Sequence, residues 1–139
     1  MNQKNLDQLA GWLAIGAGAL DFCTGLGLVA APDVMLRLMG VKEVSGDLVY
    51  LRFVGAFVGA VGASYLWATW RRKQSGDPAL LRATLEITII FRLAAGTFSA
   101  WAIWRGWLAP AWTSVPLTDF FLAAAQAWLL QRGVFAAKA

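Results

Sequence analysis

Histidine is absent from this 139-residue chain, and cysteine occurs once. Without histidine there is no Ser-His-Asp triad, no histidine-ligated haem and no His-type zinc site, and no metal ligand set is expected. A single cysteine cannot form an internal disulfide or a CxxC redox pair. Cys23 sits inside an apolar segment and reads as a small buried hydrophobe. Charge is also scarce, at 14% of residues with only eight acidic ones, where a soluble domain carries roughly 25%. A soluble protein so composed has too little polar surface to cover its core. The ten-residue alternation of a membrane β-barrel is missing, as is any clear internal repeat. No cleavable signal peptide is expected either, because "MNQKNLDQLAGW" is polar and the first apolar segment is too long for a signal h-region.

What remains is apolar. The chain is 59% hydrophobic and holds eight tryptophans, which points to an integral membrane protein. A bilayer core of about 30 Å takes about 20 helical residues. Four segments approach or exceed that length: Leu9 to Ala31, Leu48 to Trp70, Leu80 to Trp104, and a shorter one, Val115 to Leu130. Backbone groups in lipid need internal partners, so the spans must be helical. The expected fold is all-α: one domain, an integral membrane four-helix bundle, with a short interfacial helix after the first span. That helix lies in "APDVMLRLMGVKEVSGD", where Pro32 and Asp33 suit a helix start and Gly40 suits its end.

The net charge of +4 raises nucleic acid as a partner. The basic residues form no stripe interleaved with aromatics, however, and Arg71-Arg72-Lys73 directly follows an apolar run, as a cytoplasmic flank does. Nucleic acid is therefore not expected; the lipid bilayer is. Lys4, Arg71, Arg72, Lys73, Arg132 and Lys138 fall on one side, and Arg37, Lys42 and Arg105 on the other. Basic residues favour the cytoplasm, so both termini are expected inside, in the cytoplasmic (inner) membrane. Trp12, Trp70, Trp104, Trp107 and Trp112 sit near span boundaries as aromatic anchors. Trp67, Trp101 and Trp128 lie deeper, where they pack in the core or line a pocket.

Spacings of three and four residues mark one face of a helix. Gly11, Ala14, Gly18, Asp21 and Gly25 share a seam on the first span; Arg52, Gly55, Gly59 and Gly62 share one on the second. Thr88, Arg92, Ala95 and Ser99 align on the third, and Asp119, Ala123 and Gln126 on the fourth. Small residues let helices approach closely in lipid, so these seams turn the deepest charges inward. Depth predicts an Asp21–Arg92 contact near the midplane and an Arg52–Asp119 contact nearer the outer boundary. Arg82 is placed to pair with Glu86 one turn on. Buried pairs can serve only to fix helix register, but intramembrane ionisable groups are also functional-site candidates. The ligand-binding candidates are Asp21, Arg52, Arg92, Asp119 and Gln126. The candidates for acid–base chemistry are Asp21, Glu86 and Asp119.

The segment "P-D-x-x-x-x-L-M-G" (Pro32 to Gly40) and the second span's "LRFVGAFVGAVGASYLW" resemble the DoxX-like group of small bacterial membrane proteins. The resemblance covers the architecture of the whole chain and implies a four-helix membrane fold. In some members it implies a small subunit linked to quinone-coupled sulfur oxidation. Three functions are therefore in play, and no cofactor is specified. The first is a bundle holding a lipophilic small molecule, quinone- or isoprenoid-like, as an accessory subunit of a larger membrane complex. The second is a membrane enzyme, an isomerase or epoxide-type hydrolase, using buried carboxylates. The third is a small transporter working as a homodimer through the glycine seams, for which Arg92 in the polar layer fits an anion better than a cation.

Overall fold

Pro32 and the positive-φ glycines Gly40, Gly76, Gly106 and Gly133 punctuate the chain, and the helices fall between them. The computed structural model describes residues 2–41 and 47–135, so Lys42 and Lys138 of the basic count lie outside the described residues. Helix α1 spans Gln3–Ala30, α2 Pro32–Leu38, α3 Leu48–Ser75, α4 Ala79–Trp104 and α5 Ser114–Gln131. A 3-10 turn at Pro110–Thr113 precedes α5 and was not foreseen in that loop. The described residues contain no strand. Helices α1, α3 and α4 are long and apolar enough to cross a membrane. Helix α5, expected as a fourth span, is not among them: it has 18 residues, and Pro116, Asp119 and Gln126 interrupt its apolar run.

The helix ends follow local chemistry. Proline disfavours a helical residue before it, and Ala31 leaves the helix at φ −141° as Pro32 opens α2 with Asp33 in its first turn. Gly40, at φ +83°, turns the chain out of α2, and Val41 donates back to the Leu36 carbonyl at 2.9 Å. The Asp47 side chain caps α3 by accepting from the Val49 amide at 2.9 Å. Gly76, at φ +73°, closes α3.

Helices α1 and α3 run antiparallel with their backbones almost in contact. A Cβ built on Gly62 would meet the Gly18 carbonyl at 2.6 Å, and one built on Gly55 would meet the Leu28 Cβ at 2.6 Å. Helices α4 and α5 form a second antiparallel pair, with Gly96 seated against Asp119 and Phe120. The glycine seams expected for joining two copies are thus used within the chain.

The filled core lies at the end where α1 starts and α5 finishes. Leu6, Ala10, Tyr65, Leu81, Leu85, Leu129 and Val134 are buried together there. The turn after α5 is pinned to α1, where Gln3 donates to the Gly133 carbonyl at 3.1 Å and Asp7 accepts from the Phe135 amide at 3.1 Å. Arg82 donates to the Val134 carbonyl at 3.0 Å, and Arg72 stacks on Phe135. Cys23, read as buried, is exposed, because its side of α1 faces away from α3. Trp67, Trp101 and Trp128 are exposed as well.

Candidate functional site

Arg92 is the centre of the polar interior. Its position on α4 turns it toward the other helices, and its side chain is only 4% exposed. The guanidinium bridges two carboxylates. Nη2 donates to Asp21 Oδ2 on α1 at 2.5 Å, and Nη1 donates to Asp119 Oδ1 on α5 at 2.9 Å. Charge-assisted bonds of this kind are the stronger class, and the pair of them ties α1, α4 and α5 together through one side chain.

The Asp21–Arg92 contact expected from depth is present. The Arg52–Asp119 contact is not. Arg52 instead donates to the carbonyls of Val29 and Ala30 at the end of α1. The last carbonyls of a helix lack intrahelical partners and carry the negative end of its dipole. Because α3 starts beside the end of α1, Arg52 is within reach of them. Asp119 lies deeper than its distance from the start of α5 suggested. The 3-10 turn packs back along α4, so Asp119 comes level with Gly96, one turn from Arg92, and the long arginine side chain closes that gap.

Behind the guanidinium a buried network extends toward the filled core. Arg92 Nε approaches Tyr65 Oη at 3.4 Å. Tyr65 Oη donates to Thr88 Oγ1 at 2.7 Å and accepts from the Gln126 amide, and Thr88 donates to the Thr84 carbonyl at 2.7 Å. Tyr65 and Gln126 are fully buried. Buried polar groups need partners, and here they satisfy one another. Thr69 Oγ1, one turn beyond Tyr65, is the one buried side-chain oxygen without a partner among the described residues. Tyr65 was missed in the sequence reading, although it extends the α3 seam three residues past Gly62.

In front of the guanidinium is open space. A groove of about 600 Å³ runs between α3 and α4, within the usual range for ligand sites. Its walls are Phe53, Val54, Phe57, Val58 and Val61 of α3 with Phe91, Ala94 and Ala95 of α4, and Asp21, Arg92 and Asp119 form its only polar patch. Asp21 Oδ1 and Asp119 Oδ2 take no hydrogen bond from the described residues, and both aspartate side chains are 14% exposed.

Of the candidates, the fold therefore brings together Asp21, Arg92 and Asp119, and sets Gln126 one layer behind them. Arg52 lies apart at the end of α1. Glu86 is also apart: it pairs with Arg82 at 3.0 Å beside a separate, solvent-open hollow with Asp77 and Phe135. Its position on α4 turns it away from the helix interfaces, which removes it from the acid–base set of this site. No family model matches the chain, and no curated protein or solved structure matches it either.

Proposed function

We propose that the chain is a multi-pass membrane protein, a four-helix bundle that holds a lipophilic ligand between α3 and α4 with the ligand's polar head against the Asp21–Arg92–Asp119 cluster. The observation that carries this reading is the groove itself, apolar along its walls and charged only where those three residues meet. An apolar channel ending in a few placed polar groups is the common design of small-molecule sites.

The exterior supports a bilayer as solvent. Large side chains such as Trp12, Leu20, Tyr50, Phe57, Ile90, Phe98 and Phe121 are exposed around the helices, far more apolar surface than a soluble monomer leaves open. The basic residues Lys4, Arg71, Arg72, Lys73 and Arg132 gather at the end where α1 starts and α3 and α5 finish, which supports the cytoplasmic orientation in an inner membrane. The walls match a quinone- or isoprenoid-like body, and the DoxX-like resemblance adds the role of a small subunit in a larger complex.

The test is native mass spectrometry of the protein extracted in mild detergent. A lipophilic adduct on the wild type that is lost in Ala95→Leu, which fills the groove without touching the charges, is the expected result. An adduct retained in full by that variant contradicts the reading. One observation favours a second reading, in which the same site acts on a lipophilic substrate. Asp21 and Asp119 both line the groove, and each has one oxygen that takes no hydrogen bond from the described residues; such a carboxylate oxygen can take or return a proton.

A further inference from the structure

The charges at the head of the groove do not balance. Asp21 comes from α1, Arg92 from α4 and Asp119 from α5, while α3 contributes only the neutral Tyr65 phenol behind them. Two carboxylates against one guanidinium leave one negative charge in excess. Neither Arg52 nor Arg82 pairs with these carboxylates: Arg52 donates to the carbonyls of Val29 and Ala30, and Arg82 pairs with Glu86. Excess charge at this depth is costly in a bilayer, so a proton or a cation has to meet it.

Accessibility decides the sign of what the groove receives. The guanidinium is 4% exposed and already holds both carboxylates and Tyr65, whereas each aspartate is 14% exposed with one oxygen unengaged. A ligand head in the groove therefore meets acceptors and negative charge. The walls favour the same class of ligand. Phe53 and Phe57 stand edge to face at 4.8 Å, with Phe91 across the groove, and aromatic faces attract organic cations. The second carboxylate, Asp119, argues against the anion preference expected when Arg92 was paired with Asp21 only.

We infer that the groove selects a lipophilic organic monocation, whose charge is met by Asp21 and Asp119 and whose body lies along the phenylalanines of α3 and α4. The inference rests on the lipophile-binding reading above and adds the sign of the head group. A neutral quinone carbonyl, which needs a donor, is the competing occupant.

The test is isothermal titration of the full chain in phosphatidylcholine nanodiscs, with empty discs subtracted. Three probes are used: tetraphenylphosphonium, tetraphenylborate of the same shape and opposite charge, and a decyl-substituted benzoquinone. Saturable phosphonium binding is expected, tighter than that of either other probe by about tenfold or more, with a similar loss in Asp21→Asn and in Asp119→Asn. Ala95→Leu is expected to abolish it and keeps the test open should an aspartate variant fail to fold. Borate or quinone bound as tightly as the phosphonium, at a site closed by Ala95→Leu, overturns the cation inference and leaves the lipophile reading standing. No binding of any probe, or binding indifferent to Ala95→Leu, overturns both.

Discussion

The two faces of α3 behave oppositely over the same three turns. One face carries Gly55, Gly59 and Gly62 and lies backbone to backbone against α1. The other carries Phe53, Phe57 and Val61 and stands off from α4, leaving the groove. Side-chain size alone separates the two outcomes. Glycine removes the Cβ that would hold two helices apart. Bulky side chains on the opposite face have no matching small residues on α4 at that level to interdigitate with, except Ala94 and Ala95, which deepen the groove. The seam holds the pair of helices together and the opposite face leaves a vacancy, and the buried ion cluster fixes how far the vacancy extends inward.

Four substitutions break or sharpen that contrast. The largest effect is expected for Arg92→Met, which leaves two carboxylates buried without their counter-ion at a cost of about 3–5 kcal/mol. Thermal unfolding in detergent should register it, and adding Asp21→Asn with Asp119→Asn should recover more than half of the loss. No recovery would mean that the arginine acts through packing and not through charge. Gly62→Leu comes next, because its Cβ alone would meet the Gly18 carbonyl at 2.6 Å. About 3 kcal/mol is expected on the same assay, and an unchanged midpoint would show that the seam is looser than described. Arg52→Gln removes the charged donor at the end of α1 and should cost about 1 kcal/mol without altering ligand retention. An equal loss of retention would return Arg52 to the site. Ala95→Leu should change stability by less than about 0.5 kcal/mol and yet exclude the ligand, which separates the vacant face from the seam.

Much of this was readable in the residues. The glycine spacing marked the close-packing faces of α1 and α3, though not that these two faces meet each other, and the shared depth of Asp21 and Arg92 placed their pairing. The i, i+4 spacing of Arg82 and Glu86 placed theirs. The partner of Asp119 was not readable, because it depends on the 3-10 turn that returns the chain along α4, and loop geometry leaves little trace in composition. Arg52 was misplaced because depth says which layer a charge occupies, while a helix end offers partners that no side-chain count reveals. The groove was not legible either. Phe53 and Phe57 look the same in sequence whether they face lipid, a neighbouring helix or a ligand.

The account turns on the groove being an occupied site with its polar end at the ion cluster. A crystal structure of the protein grown from a lipid mesophase, carrying whatever co-purifies with it, tests this most directly. The prediction is elongated density between Phe57 and Phe91 that ends within hydrogen-bonding distance of Asp21 or Asp119. Helices α3 and α4 closed on each other, with their own side chains filling the space and nothing bound, would contradict it.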